Sequence, residues 1–109
     1  MPLTQALKVS SAWLLSLGMA LAAHASQGDA LLQAHGCLSC HAKLEKVLGP
    51  SFLSVADRYR QEKDAQARLV LAIQNGSKGQ WGRIPMPPHS SISQADLQAM
   101  ARHVLATQN

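Results

Sequence analysis

Downstream of residue 26 the apolar residues recur three and four positions apart, the period of a helix with one face turned inward. The two-residue alternation of a strand is absent. Leu31, Leu32 and Ala34 give an apolar side to a helix predicted from Gly28 to His35, after which Gly36 lets the chain turn. Phe52, Val55, Ala56 and Tyr59 fall at i, i+3, i+4 and i+7 of a second helix that starts near Ser51. Leu69, Ala72 and Ile73 line the inner side of a third, with Asp64 as its expected N-cap and Asn75-Gly76 as its stop. The last helix has the clearest signature. Ser93 caps it, Asp96 follows as the acid of a capping box, and Ile92 and Leu97 take the staple positions; Leu97, Met100, Ala101, Val104 and Leu105 then repeat at helical spacing. Residues 43–48 form a short connector broken by Gly49-Pro50. Residues 76–90 contain Gly76, Gly79, Gly82, Pro85, Pro87 and Pro88 and read as irregular throughout.

Ahead of residue 26 the pattern differs. Lys8 is the sole charged side chain before Asp29, and an apolar stretch from Ala12 to Ala23 ends at Ala23-His24-Ala25. A short apolar region before an A-x-A site is the pattern of a secretory signal peptide. Residues 1–25 are therefore expected to be removed after export, leaving 26–109 as one periplasmic domain with no stable membrane insertion. An uncleaved anchor helix is the alternative, but spanning a bilayer takes roughly 20 apolar residues and this stretch is shorter.

A domain this small buries only about 60% of its unfolded surface, so its apolar core alone gives marginal stability and a staple is usually required. The chain has 2 cysteines, both in one short segment, so no disulfide framework can serve. The net charge of +4 includes Lys8 and is too mild for a nucleic-acid binder. The remaining cations, Lys43, Lys46, Arg58, Arg60, Lys63, Arg68, Lys78 and Arg83 among them, are spread along the chain as a solvated surface. A weak positive rim that steers a partner is compatible with that spread.

The chemistry lies in Cys37-Leu38-Ser39-Cys40-His41, a C-x-x-C-H segment. Two thiols at this spacing can each add across a haem vinyl group, and the adjacent imidazole then meets the iron. A thioredoxin-like redox pair would sit after a strand in a βαβ setting, which this sequence lacks. A zinc site would need a second Cys/His pair, also missing. A chance C-x-x-C-H is the third alternative, but the motif here combines with an export signal, small size and a helical pattern; covalent haem is favoured, and its large apolar body would supply the core that the chain lacks. Downstream candidates for a second iron ligand are Met86, His89, Met100 and His103. Met86 is favoured because Pro85 and Pro87 flank it and present it on a stiff, extended loop. Met100 falls at a core position, where filling space is its ordinary role.

Taken with Gly36-Cys37, Gly49-Pro50, Val55-Ala56, Asn75-Gly76-Ser77 and Trp81-Gly82-Arg83-Ile84-Pro85-Met86-Pro87-Pro88, the chain resembles the small bacterial class I cytochromes c of the c-551/c-552 type. The resemblance implies an all-α fold of four to five helices around one covalent haem c. It implies His41 and Met86 as metal ligands and Cys37 and Cys40 as attachment points. It further implies that the Pro50 carbonyl accepts a hydrogen bond from His41, and that Trp81 donates its indole N–H to a haem propionate. There are departures. Leu32 and His103 stand where the family often has Phe and Trp, so a looser pairing of the terminal helices is expected. His89 replaces an Asn able to donate to the Met sulfur, and Ala72 replaces a propionate-binding Arg, leaving Arg83 or Lys78 to compensate. The function implied is electron transfer rather than catalysis, by a monomer serving redox protein partners. A haem subunit of a larger oxidoreductase, or a haem enzyme or gas sensor with an open distal site, are the alternatives.

Overall fold

Ser51 starts the second helix. Its hydroxyl accepts the Ser54 N–H at 3.0 Å, and the helix then runs Phe52–Tyr59 (α2) with Phe52, Val55, Ala56 and Tyr59 buried. In this computed structural model residues 23–24 and 27–109 are described. The expected cleavage point after Ala25 and most of the segment before it lie outside the described residues. Helix α1 covers 27–34, α3 Ala65–Asn75 and α4 Gln94–Leu105. The described residues contain no strand, only isolated bridges between His41 and Lys46 and between Ser77 and Met86. The all-α reading is correct.

Ser93 caps α4 as expected, accepting the Asp96 N–H at 3.2 Å, and Ile92 and Leu97 are both buried. Asp64 occupies the N-cap of α3, but its side chain caps nothing. Its backbone, at φ −102° and ψ 20°, lies outside the extended region that a capping side chain requires. The helix is entered instead from a turn, with the Tyr59 carbonyl accepting Glu62 N–H at 3.0 Å and the Glu62 carbonyl accepting Ala65 N–H at 3.4 Å.

Helices α2 and α3 both pack on α4, whose Leu97, Met100 and Ala101 are fully enclosed. Leu32 of α1 and Leu69 and Val70 of α3 complete the core. The terminal helices meet by close approach rather than loosely. The His103 ring of α4 lies over buried Gly28 of α1, and its Nε2 is 2.8 Å from Asp29 Oδ1.

Candidate functional site

Gly36 takes φ 73° and ψ 15°, a left-handed turn that costs glycine little, and sends the chain from α1 into a short 3-10 turn over Cys37–Ser39. That turn holds the C-x-x-C-H segment together: the Cys37 carbonyl accepts both Cys40 N–H at 3.1 Å and His41 N–H at 3.0 Å. Both cysteines are half-buried. Burial pushes the Cys37 thiol up from its ordinary range, only partly opposed by a backbone hydrogen bond.

His41 is fixed from two directions. Its Nδ1 is 2.7 Å from the Pro50 carbonyl oxygen. A carbonyl can only accept, so Nδ1 carries the proton and Nε2 is left as the free lone pair. The ring also stacks on Phe52 at 5.3 Å between centroids and 22° between planes. The loop carrying Pro50 is tied to the same segment by Gly49 N–H donating to Cys40 carbonyl at 2.8 Å, and by Phe52 N–H donating to Ala42 carbonyl at 3.0 Å. Gly49 has to be glycine for steric reasons, since a Cβ there would lie 2.5 Å from His41 Cε1.

Met86 is held by its backbone. Its N–H donates to the Ser77 carbonyl at 2.8 Å and its carbonyl accepts the Ser77 N–H at 3.1 Å. Three residues on, His89 N–H donates to the Ile73 carbonyl at 2.9 Å. The loop that the sequence predicts as irregular is thus pinned at two points to the end of α3.

Cys37, Cys40, His41, Pro50, Trp81 and Met86 all line a single cleft of about 1100 Å³ of atom-free space, part of it continuous with solvent. Its other walls are mostly apolar, with Leu32, Phe52, Val55, Leu69, Ile73 and Val104 among them. Of the downstream candidates, Met86 and Met100 line the cleft, whereas His89 and His103 do not. His89 Nδ1 is buried with no hydrogen-bond partner. Met100 is fully enclosed in the α4 core. Among the described residues, no three of His, Cys, Asp and Glu gather as a metal site.

The mostly apolar lining, with Cys37, Cys40 and His41 at one side, fits a flat apolar macrocycle anchored at the two cysteines. Comparison with known proteins agrees. A family profile described as "Cytochrome C oxidase, cbb3-type, subunit III" matches residues 23–104. Cytochrome c-551 of Pseudomonas aeruginosa is 40% identical over 95 residues, spanning 85% of this chain and 90% of its own. This chain belongs to the small cytochromes c. Cytochrome c-552 of Nitrosomonas europaea is 38% identical over 100 residues, covering 89% of this cytochrome and 97% of its own length. The crystal structure of Nitrosomonas europaea cytochrome c552 superposes with a TM-score of 0.71, over 73% of this chain and 99% of that one. Membership brings one covalently attached haem c, with Cys37 and Cys40 as its thioether anchors, and a role in electron transport.

Two features of the site have no signature in the sequence. The Ser77–Met86 pairing joins residues across a Gly/Pro-rich loop, where periodicity says nothing. Arg58 of α2 lies over the Trp81 ring, 4.4 Å from its centroid.

Proposed function

We propose that this cytochrome c is a periplasmic electron carrier in which His41 and Met86 would hold the haem iron. When bound, the haem supplies the Fe(III)/Fe(II) couple that takes up and gives away one electron. The protein's own residues keep that site dry, fixed and at a chosen potential. His41, with its Nδ1–H donated to Pro50, presents Nε2 in one orientation and as a stronger base. Met86 offers a soft, neutral thioether that favours the reduced iron. Trp81 would offer its indole N–H to a haem carboxylate, and the apolar wall would exclude water. No substrate is transformed, so the protein is not an enzyme. Residues 1–25 serve export, and 26–109 form the mature domain.

The observation that carries this reading is the two-bond tether between Met86 and Ser77, which fixes the thioether-bearing residue at the cleft independently of the core. Exchange with protein partners would take place where Leu38, Leu44 and Val47 expose apolar surface beside the cysteines. Redox encounters of this kind are brief and small in area. The match to an oxidase-subunit profile supports a second reading, a haem subunit of a larger oxidoreductase. Size-exclusion of native extracts separates the two, since a free carrier elutes as a small monomer. A sensor or enzyme with an open distal site is tested by optical spectroscopy. The oxidised protein should show a weak far-red sulfur-to-iron band. Met86→Ala should lose that band and gain carbon monoxide binding. A wild-type protein without the band, whose reduced form binds carbon monoxide rapidly, overturns the carrier reading.

A further inference from the structure

Among the described residues no Lys, Arg, Asp or Glu lines the cleft. A haem nevertheless carries two carboxylates, and an ionised carboxylate brought to a low-dielectric wall is costly unless positive charge or hydrogen-bond donors meet it. Any cation must therefore act from behind the lining residues. Two arginines stack on aromatic members of the wall. Arg68 lies 5.4 Å from the Tyr59 centroid, but it is paired with Glu62, which neutralises it locally. Arg60 is likewise paired, with Asp57 at 3.0 Å. Arg58 differs from both. Its guanidinium lies 4.4 Å from the Trp81 centroid, one of its N–H groups donates to the Gln80 carbonyl at 2.8 Å, and among the described residues it forms no ion pair.

A guanidinium on the face of an indole fixes the ring plane and leaves the N–H, at the ring edge, free to donate. The bond to Gln80 adds a second hold on the segment Gly79-Gln80-Trp81, which is all cleft wall.

We propose that Arg58 is a positioning residue of the haem site: it orients Trp81 toward a haem carboxylate and supplies an unneutralised positive charge on that side of the cleft. The proposal rests on the haem reading above. It assigns to α2 a task that α3 does not meet from the cleft wall, where α3 presents only Leu69, Ala72 and Ile73 and its Arg68 is paired with Glu62.

The test uses the haem-loaded protein with Arg58→Gln and Arg58→Lys. Gln keeps a donor for the Gln80 carbonyl but removes the charge and the stack; Lys keeps the charge but not the planar stack. The reduction potential at low salt and the exchange rate of the Trp81 indole N–H are measured, with the far-red band as control. Arg58→Gln should lower the potential, because losing a positive charge favours Fe(III), and the drop should shrink at high salt. Its indole N–H should exchange about two- to fivefold faster, the equivalent of an exposed cation–π contact. Arg58→Lys should keep the potential while the indole still exchanges faster. If the far-red band is intact and both variants match wild type in potential and exchange, the Arg58 assignment falls and the ligation reading stands. An equal fall in potential for Gln and Lys also overturns the assignment. A wild-type protein lacking the band contradicts the ligation reading instead.

Discussion

The His103 ring lies directly over the backbone of Gly28: a Cβ added to Gly28 would sit 2.3 Å from His103 Cγ. The terminal helices of this cytochrome c are therefore joined by an imidazole on a bare backbone, reinforced by the 2.8 Å contact between His103 and Asp29. Gly28→Ala should destabilise the protein by about 1–3 kcal/mol, the usual cost of overpacking. Thermal or denaturant unfolding of the haem-loaded protein reads this out. In a His103→Ala background the same change should cost much less, because the two residues share one contact. An identical cost in both backgrounds would place the strain elsewhere.

Gly76 ends α3 with φ 75° and ψ 175°, a conformation essentially restricted to glycine. A Cβ there would lie 2.5 Å from the Met86 carbonyl oxygen. Gly76→Ala should therefore act beyond the strain of about 1–3 kcal/mol expected for the backbone alone. It should push on the Ser77–Met86 pairing and shift or weaken the far-red band. An altered melting temperature with an unchanged band would mean that this pairing does not govern the Met86 sulfur.

Gly49→Ala probes His41, the other proposed ligand. The new Cβ would reach within 2.5 Å of His41 Cε1 and displace the ring from the Pro50 carbonyl. Donation from Nδ1–H makes the imidazole more basic and favours the oxidised iron, so weakening it should raise the reduction potential. Protein-film voltammetry checks the sign; an unchanged or lower potential would mean that the 2.7 Å bond does not tune the iron.

The haem-free chain should be largely unfolded. Residues lining the cleft, Leu32, Phe52, Val55, Leu69 and Val104 among them, are also much of the core. Without the macrocycle the core is small for a chain of this length. Far-ultraviolet circular dichroism of a Cys37→Ala/Cys40→Ala double variant should show little helix. A native-like helical signal would contradict this.

The parts of the molecule legible in its sequence were those set by local physics. Phe52, Val55, Ala56 and Tyr59 share a face because a helix repeats every 3.6 residues, and Ser51 and Ser93 cap because their hydroxyls reach the first free N–H groups. Asp64 misled because a cap depends on its own backbone angles, here set by the turn from Tyr59 to Ala65. The looser pairing expected of the terminal helices did not foresee that Gly28 would let His103 close the gap. Contacts between distant segments, such as Ser77 with Met86 and Arg58 with Trp81, have no periodic trace and appear only once the chain is folded.

The central claim is that Met86, rather than Met100, meets the iron across from His41. Both methionines line the cleft, so the decisive measurement is the proton NMR spectrum of the reduced, haem-loaded protein. A methionine methyl held over the macrocycle is moved far upfield by the ring current. The account predicts one such three-proton resonance in wild type, its disappearance in Met86→Ala and its persistence in Met100→Ala. Its persistence in Met86→Ala, or its absence from wild type, would contradict the account.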